Sequence, residues 1–406
     1  MAEKLRGKEK IIYAISMLVL LAFFAQFFNF PNKLSVVCVF LICGSYCILQ
    51  RKILAGIREI LLFLTMVLYI WFSGKRNLTG ISIVLLPVLF QMAGRYMLND
   101  AKDRKEFIRC LWCLIGAFVL GYTIHAVLNT GMYWLYGLGE RGRVWKDVWT
   151  GYDVPATQHN IYFLPVLAVV FPAILYIKKH KAVCGVSLAI AAFFVWFSVI
   201  SRSRTPLVIF AIVLLWGIFL WCVYNRKDKK TQKTILICGA AVLAVILAGC
   251  LVVWLNWEKI QATSFYATFQ RGGGILHNVR FEAQLNALKQ LFVYPFGGYQ
   301  MDLGVLEMAH NLWLDTAKAA GILPFISLVV YTLLSAYDMF RMLRNEKVPS
   351  SVKYVLSSLW LVMMLYYMIE PALEATVQFL VPWTFMNGIV YELDKRRTIW
   401  YKKSEM

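Results

Sequence analysis

Charge is scarce in this chain. Only 16% of its residues are charged, against about 25% in ordinary soluble domains. Acidic groups are the scarcer kind, 22 against 42 lysines and arginines, and there are five histidines. These shortages exclude whole classes of chemistry. No D-x-D or other acidic cluster stands where it could hold a metal-bound sugar nucleotide, and no H-E-x-x-H offers a zinc-protease ligand set. Gly272-Gly273-Gly274 lacks the lysine and Ser/Thr that a nucleotide P-loop needs. Cys110 and Cys113 form a C-x-x-C, but no second pair completes a tetrahedral zinc site. Cys38, Cys43, Cys47, Cys184, Cys222, Cys238 and Cys250 lie in or beside apolar runs and read as small packing residues. Neither an internal repeat nor a low-complexity tract is present.

Apolar residues, by contrast, make up 60% of the 406. Runs near the ~20 residues needed to cross a bilayer recur along the whole length. The chain therefore reads as a single all-α, polytopic membrane domain over 1–406. Its first run, Ile11 to Phe30, is long for a signal-peptide core and has no small-x-small cleavage site, so it is expected to stay as the first helix. Twelve spans are expected, near 11–30, 34–50, 58–73, 80–97, 108–128, 160–177, 182–200, 205–224, 234–256, 319–340, 353–370 and 373–393.

The net charge of +20 raises the question of nucleic acid, but the distribution answers it. Basic residues collect in short clusters between apolar runs, such as Lys178-Lys179-His180-Lys181 and Arg226-Lys227-Asp228-Lys229-Lys230. Clusters of this kind orient a membrane protein, because positive loops stay in the cytoplasm. With the N-terminus inside, the alternation holds through all twelve spans and places both termini in the cytoplasm. No nucleic-acid partner is expected.

Two long segments then face outward, 129–159 and 257–318. Loops of this length in a compact protein are usually functional or disordered. Both are aromatic and apolar enough to pack; the first contains Trp134, Trp145 and Trp149. In the second, Val279, Phe281, Leu285, Leu288, Leu291 and Phe292 recur at near-helical spacing before Pro295. That predicts an amphipathic helix on the outer surface, over Asn278 to Tyr294.

Three constellations on the outward side can carry chemistry. Ser201-Arg202-Ser203-Arg204-Thr205-Pro206 puts two arginines at an outer edge, against the positive-inside bias. They read either as an interfacial snorkelling pair or as guanidinium forks for phosphate oxygens beside a helix N-terminus. Arg280, on the loop helix after the triple glycine, reads by itself as a solvated surface residue. His310 with Asn311 closes the longest polar interruption, and histidine is the side chain that exchanges protons near neutral pH. It is either structural or an acid–base group, with Glu307 and Asp315 near enough in sequence to orient it. His159-Asn160 is a similar, weaker pair, and His277 lies close to Arg280. Glu370 and Glu374 flank the turn at Pro371 and read as a helix end.

The order and placement of these motifs resemble the O-antigen ligase and O-antigen polymerase superfamily. A Ser-Arg-Thr turn opens a span, a large outward loop bears an Arg on a helix, and His310-Asn311-x-x-Leu314 leads through Ala320-Gly321-Ile322 into the next span. The resemblance is strongest over 185–335. Gly321-Ile322-Leu323-Pro324 departs from it where many members have a second glycine. The doubled Ser-Arg-Ser-Arg leaves the register open, with Arg204 favoured because Thr205 onward matches the family's span. The resemblance implies a fold related to the GT-C class in a bacterial cytoplasmic (inner) membrane. It implies a metal- and cofactor-independent glycosyltransferase on the outer face, using a glycan donor carried on undecaprenyl diphosphate. The acceptor would be a lipid or cell-wall group for a ligase, or another carrier-linked repeat for a polymerase; the sequence does not separate the two. Arg204 and Arg280 would bind the diphosphate and His310 would take the acceptor proton. Arg202, Asn311, His159, Arg141 and Arg143 are the further candidates for substrate contact. A transporter or lipid-glycan flippase is the competing class. The two halves of the chain lack the matching loops that internal repeats of common transporters would show.

Overall fold

The computed structural model describes residues 2–27, 33–99, 101, 103–137, 144–201, 203–225, 254–261, 279–370, 372–375 and 379–395. Sixteen helices and one hairpin are described there. The N-terminal part holds α1 (Ala2–Phe24), α2 (Lys33–Gln50), α3 (Ile57–Ser73), α4 (Leu78–Asn99) and α5 (Arg104–Tyr136). Then come β1 (Val144–Lys146), β2 (Asp153–Pro155), α6 (Ala156–Ile161), α7 (Leu164–Leu175), α8 (Lys181–Ile200) and α9 (Thr205–Asn225). The C-terminal part holds α10 (Trp257–Gln261), α11 (Val279–Gln290), α12 (Leu312–Ala320), α13 (Ile322–Arg344), α14 (Ser350–Tyr367), α15 (Ala372–Ala375) and α16 (Val381–Lys395).

Six of these stretches are long and apolar enough to cross a membrane: Gly80–Asn99, Arg104–Tyr136, Gln158–Leu175, Lys181–Ile200, Thr205–Asn225 and Ile322–Arg344. All the expected spans overlap helix, the ninth only at Trp254 and Leu255, since the rest of it lies almost wholly outside the described residues. Several expected boundaries need correction. The sixth span is broken by a turn at Tyr162-Phe163, before a helix with proline in its first turn. The last begins as the short α15 and resumes as α16. The all-α expectation missed the hairpin, in which Trp145 pairs with Val154 and Lys146 with Asp153. It lies inside the segment 129–159, expected to face outward, of which α5 occupies the part up to Tyr136.

Long-range packing depends on close approach of helix backbones, as expected where apolar lipid provides no drive for association. A Cβ on Gly388 of α16 would lie 2.1 Å from the Gln91 carbonyl of α4, and one on Gly94 would lie 2.6 Å from that of Phe385. Gly121 of α5 makes a similar contact with Phe24 of α1. Around these contacts Phe23, Phe24, Phe90, Phe118 and Phe385 form one ring cluster.

At one end of α3, α4, α13 and α16 the chain buries charge. Arg95 sits between Glu59 (2.7 Å) and Glu392 (3.5 Å), all at most 3% exposed. Arg58 pairs with Asp338 at 2.5 Å, Arg341 with Asp394 at 3.1 Å, and Tyr391 lies between the Arg58 and Arg95 guanidinium groups. A polar chain continues inward: Gln91 donates to Glu59 and accepts from Tyr331, whose hydroxyl accepts from Asn387. Each of these charges sits near a helix end, and only packing brings them together.

Candidate functional site

The other end of α13 carries the His310 and Arg280 candidates. The turn before α12 is built by Asp315, which is 1% exposed. Its Oδ1 accepts the Ala309 N–H (2.6 Å) and its Oδ2 the Asn311 N–H (2.9 Å). The residue between, His310, is thereby held at φ 52°, a left-handed conformation uncommon for residues other than glycine. Such strain costs on the order of 1–3 kcal/mol and gathers at functional sites. Asn311 caps α12, its Oδ1 accepting from the Trp313 and Leu314 amides. It satisfies donors that every helix start leaves open. Behind the turn, Gly321 (φ +86°) comes so close to Pro295 that a Cβ would lie 2.1 Å from its carbonyl oxygen. The Ile322 N–H donates to that same oxygen, so the loop 295–299 locks onto the end of α12.

The loop helix α11 packs on α12, but not as its periodicity suggested. Ala283 and Ala287 are fully buried, whereas Phe281, Leu285 and Leu288 are 68%, 42% and 49% exposed. The small residues allow close approach and leave the large ones facing outward. The helix ends at Gln290, earlier than the expected boundary at Pro295, and a series of turns follows. From this helix Gln284 reaches the carbonyls of His310 (3.5 Å) and Met368 (3.3 Å). Arg280 Nη1 donates to the Ile369 carbonyl (2.8 Å) and to Glu370 Oε1 (3.2 Å). Glu370 Oε2 stands 3.5 Å from His310 Nδ1.

Glu370 is thus more than the helix end that its position beside Pro371 suggests: it is also the carboxylate on which Arg280 and His310 converge. Its signal was faint: an acidic residue just past a helix C-terminus, where the dipole disfavours negative charge unless cations answer it. Asp315 was expected near the His310 ring; it acts instead on the backbone either side of it. Glu307 gives its carbonyl to Lys318, and the two line a pocket of about 360 Å³ with Tyr299, Met308 and Asp315.

Arg204 is partly exposed at the start of α9. Trp216 of α9 donates to Ser357 of α14, and Tyr224 packs on Tyr354. The two helices are therefore antiparallel, and Arg204 lies at the same end of the bundle as Glu370. Arg141, Arg143 and Arg202 lie outside the described residues, as does His277.

His159 belongs to a different cluster. It is fully buried, its Nε2 3.3 Å from Thr130 Oγ1, with Phe163 and Phe197 edge-on. Next to it Asn160 donates to Ser201 Oγ at 3.0 Å, tying this cluster to the turn that carries Arg204. Asp147 completes it from the hairpin loop, accepting from His125 (2.9 Å), Asn129 (3.0 Å) and the Trp149 and Thr150 amides. Burial alone would raise the Asp147 carboxyl, but the His125 contact, Asn129 and the Thr150 amide outweigh it and hold the pKa below the ordinary carboxylate range. Among the described residues no group of three or more His, Cys, Asp or Glu side chains is placed to hold a metal ion.

No protein-family model matches the sequence, and no curated protein matches it.

Proposed function

We propose that the protein is an outer-face glycosyltransferase that moves a glycan from an undecaprenyl-diphosphate carrier to an acceptor, in the manner of an O-antigen ligase. In this reading the helices make up twelve spans of a GT-C-like fold in a bacterial inner membrane, with both termini cytoplasmic. The observation that carries it is the meeting of Arg280 and His310 on Glu370, from segments far apart in sequence. The Arg204 turn at the same end of the bundle supports it.

The chemistry follows from the donor. A diphosphate-linked glycan is already activated, so its leaving group needs charge neutralisation and no protonation. The acceptor hydroxyl gives its proton to His310 and its oxygen attacks the anomeric carbon. The bond from that carbon to the diphosphate breaks, and the electron pair leaves on phosphate oxygen, facing Arg280 and Arg204. A positioned base is worth about 10²–10⁴-fold, and donors aimed at developing charge about 10²–10³-fold each. The guanidinium fork suits phosphate and keeps its charge.

The test is transfer in membranes of the producing cells. His310→Ala and Arg280→Ala should each abolish it while the protein stays inserted, and EDTA should leave the wild type active. Near-normal transfer by both variants overturns the reading. A deletion strain separates the two acceptors: polymer accumulating on its carrier indicates a ligase, single units on the acceptor a polymerase. A transporter is the second reading, favoured by the buried charges around Arg95, since ionisable groups within helical bundles mark transport pathways. Carrier-linked glycan trapped on the inner face of the deletion strain would support it.

A further inference from the structure

We propose that Glu370 is a positioning residue that selects the tautomer of His310 and holds Arg280 in place before a diphosphate arrives. The inference rests on the glycosyltransferase reading of the same site.

Glu370 follows the last turn of α14, where helix carbonyls lack intrahelical partners and the dipole end is negative. A carboxylate added there is unfavourable unless cations or donors answer both. Here the answer comes from elsewhere in the chain. Asn311 and Gln284 donate to the Met368 carbonyl, Arg280 donates to the Ile369 carbonyl, and Arg280 also meets Glu370 Oε1. The end of α14 is therefore the frame on which the loop helix and the His310 turn are aligned.

The second carboxylate oxygen faces the imidazole. His310 Nδ1 is shielded from solvent and has no hydrogen-bond partner among the described residues, with Glu370 Oε2 the ionic group beside it. At 3.5 Å the pair is longer than a hydrogen bond, and contacts of catalytic groups commonly tighten only when substrate binds. A proton on Nδ1 directed at Glu370 leaves the lone pair on Nε2, and that nitrogen receives the acceptor proton. Glu370 then faces the imidazolium formed by the transfer, keeping its own charge throughout. The same logic orients histidine by a carboxylate in hydrolase triads. Nη1 of Arg280 makes the contacts to both Ile369 and Glu370. A diphosphate therefore meets an arginine already fixed in place, and positioning costs less at that moment.

Two experiments test this. The first is ¹⁵N NMR of histidine-labelled protein in nanodiscs, with His310 assigned through His310→Gln; five histidines make the spectrum tractable. Neutral His310 should show the Nδ1-protonated form in the wild type and in Glu370→Asp, and a tautomer mixture in Glu370→Gln. The second is transfer of a polyprenyl-diphosphate-linked oligosaccharide to acceptors in membranes of the producing cells. Glu370→Gln should lower kcat by about 10²-fold with donor KM changed less than threefold, roughly, and Glu370→Asp should restore most of it. A wild-type His310 protonated on Nε2 overturns the proposal even if Glu370→Gln does not fold. So does full kcat in Glu370→Gln while His310→Ala is inactive, and that result leaves the glycosyltransferase reading standing. If His310→Ala itself transfers normally, the reading fails instead, and the tautomer measurement still decides what Glu370 does.

Discussion

Arg280 and Glu370, ninety positions apart, share a contact of 3.2 Å, and the same guanidinium nitrogen holds the carbonyl of Ile369 at 2.8 Å. One arginine thus satisfies a helix terminus and a carboxylate that also faces His310. Arg280→Lys keeps the charge but loses the fork. Transfer should fall by at least about tenfold, since lysine offers a point charge where a planar fork is used, and the variant should melt only slightly earlier. Equal rates for Lys and Arg would show that shape is irrelevant at this position.

Asp315 shapes the turn that presents His310, so its removal should be felt in both stability and activity. Asp315→Ala leaves the Ala309 and Asn311 amides without their acceptor and His310 free to leave φ 52°. Hydrogen bonds to charged groups contribute about 1.5–3 kcal/mol each, so a fall in thermal stability of several degrees is expected in detergent. Asp315→Asn, which keeps one acceptor, should lie between. Unchanged melting of Asp315→Ala would refute the clamp.

The buried charges at the far end of α13 make an opposite kind of prediction. Arg95→Ala strands Glu59 and Glu392 in a dry site, and losing one partner of a buried pair costs about 3–5 kcal/mol. Replacing all three by apolar residues of similar volume should cost much less. If the triple variant unfolds as readily as Arg95→Ala, burial of unpaired charge is not the cause. Under the glycosyltransferase reading these variants retain transfer per folded molecule; under the transporter reading they do not.

Asp147 gives a pH dependence of known sign. Its folded-state pKa is held down by contacts that favour the carboxylate, despite burial that opposes them. The resulting stability is fully present above the ordinary carboxylate pKa, about 3.9, and is lost as pH falls toward the folded value. Asp147→Asn should therefore be less stable than wild type at pH 7, by about 2 kcal/mol for a charged hydrogen-bonding hub, and the gap should narrow below about pH 4. A gap that does not depend on pH would assign the effect to shape alone.

Much of this was legible because it is local. An apolar run long enough to cross a bilayer must satisfy its own backbone groups, and a helix does so within one segment. Hence the expected spans overlap helix. The cap that Asn311 provides and the break in the sixth span before Pro165 emerge only in the structure. Within α11 the periodicity found the helix but not its buried side. The large side chains were visible in the spacing; that Ala283 and Ala287 face α12 depends on how closely two backbones approach.

The amino-acid sequence by itself determined that this is a helical, membrane-type chain, and it singled out Arg280 and His310 as candidates to carry chemistry. Only the tertiary structure decided that both meet Glu370, that Asp315 works on the backbone of the His310 turn, and that Arg58, Glu59, Arg95, Asp338 and Glu392 form one buried network. The reason is physical. Hydrophobicity acts over a few residues and leaves a trace in the order of amino acids. A contact between residues ninety apart depends on how whole helices pack, and leaves no local trace.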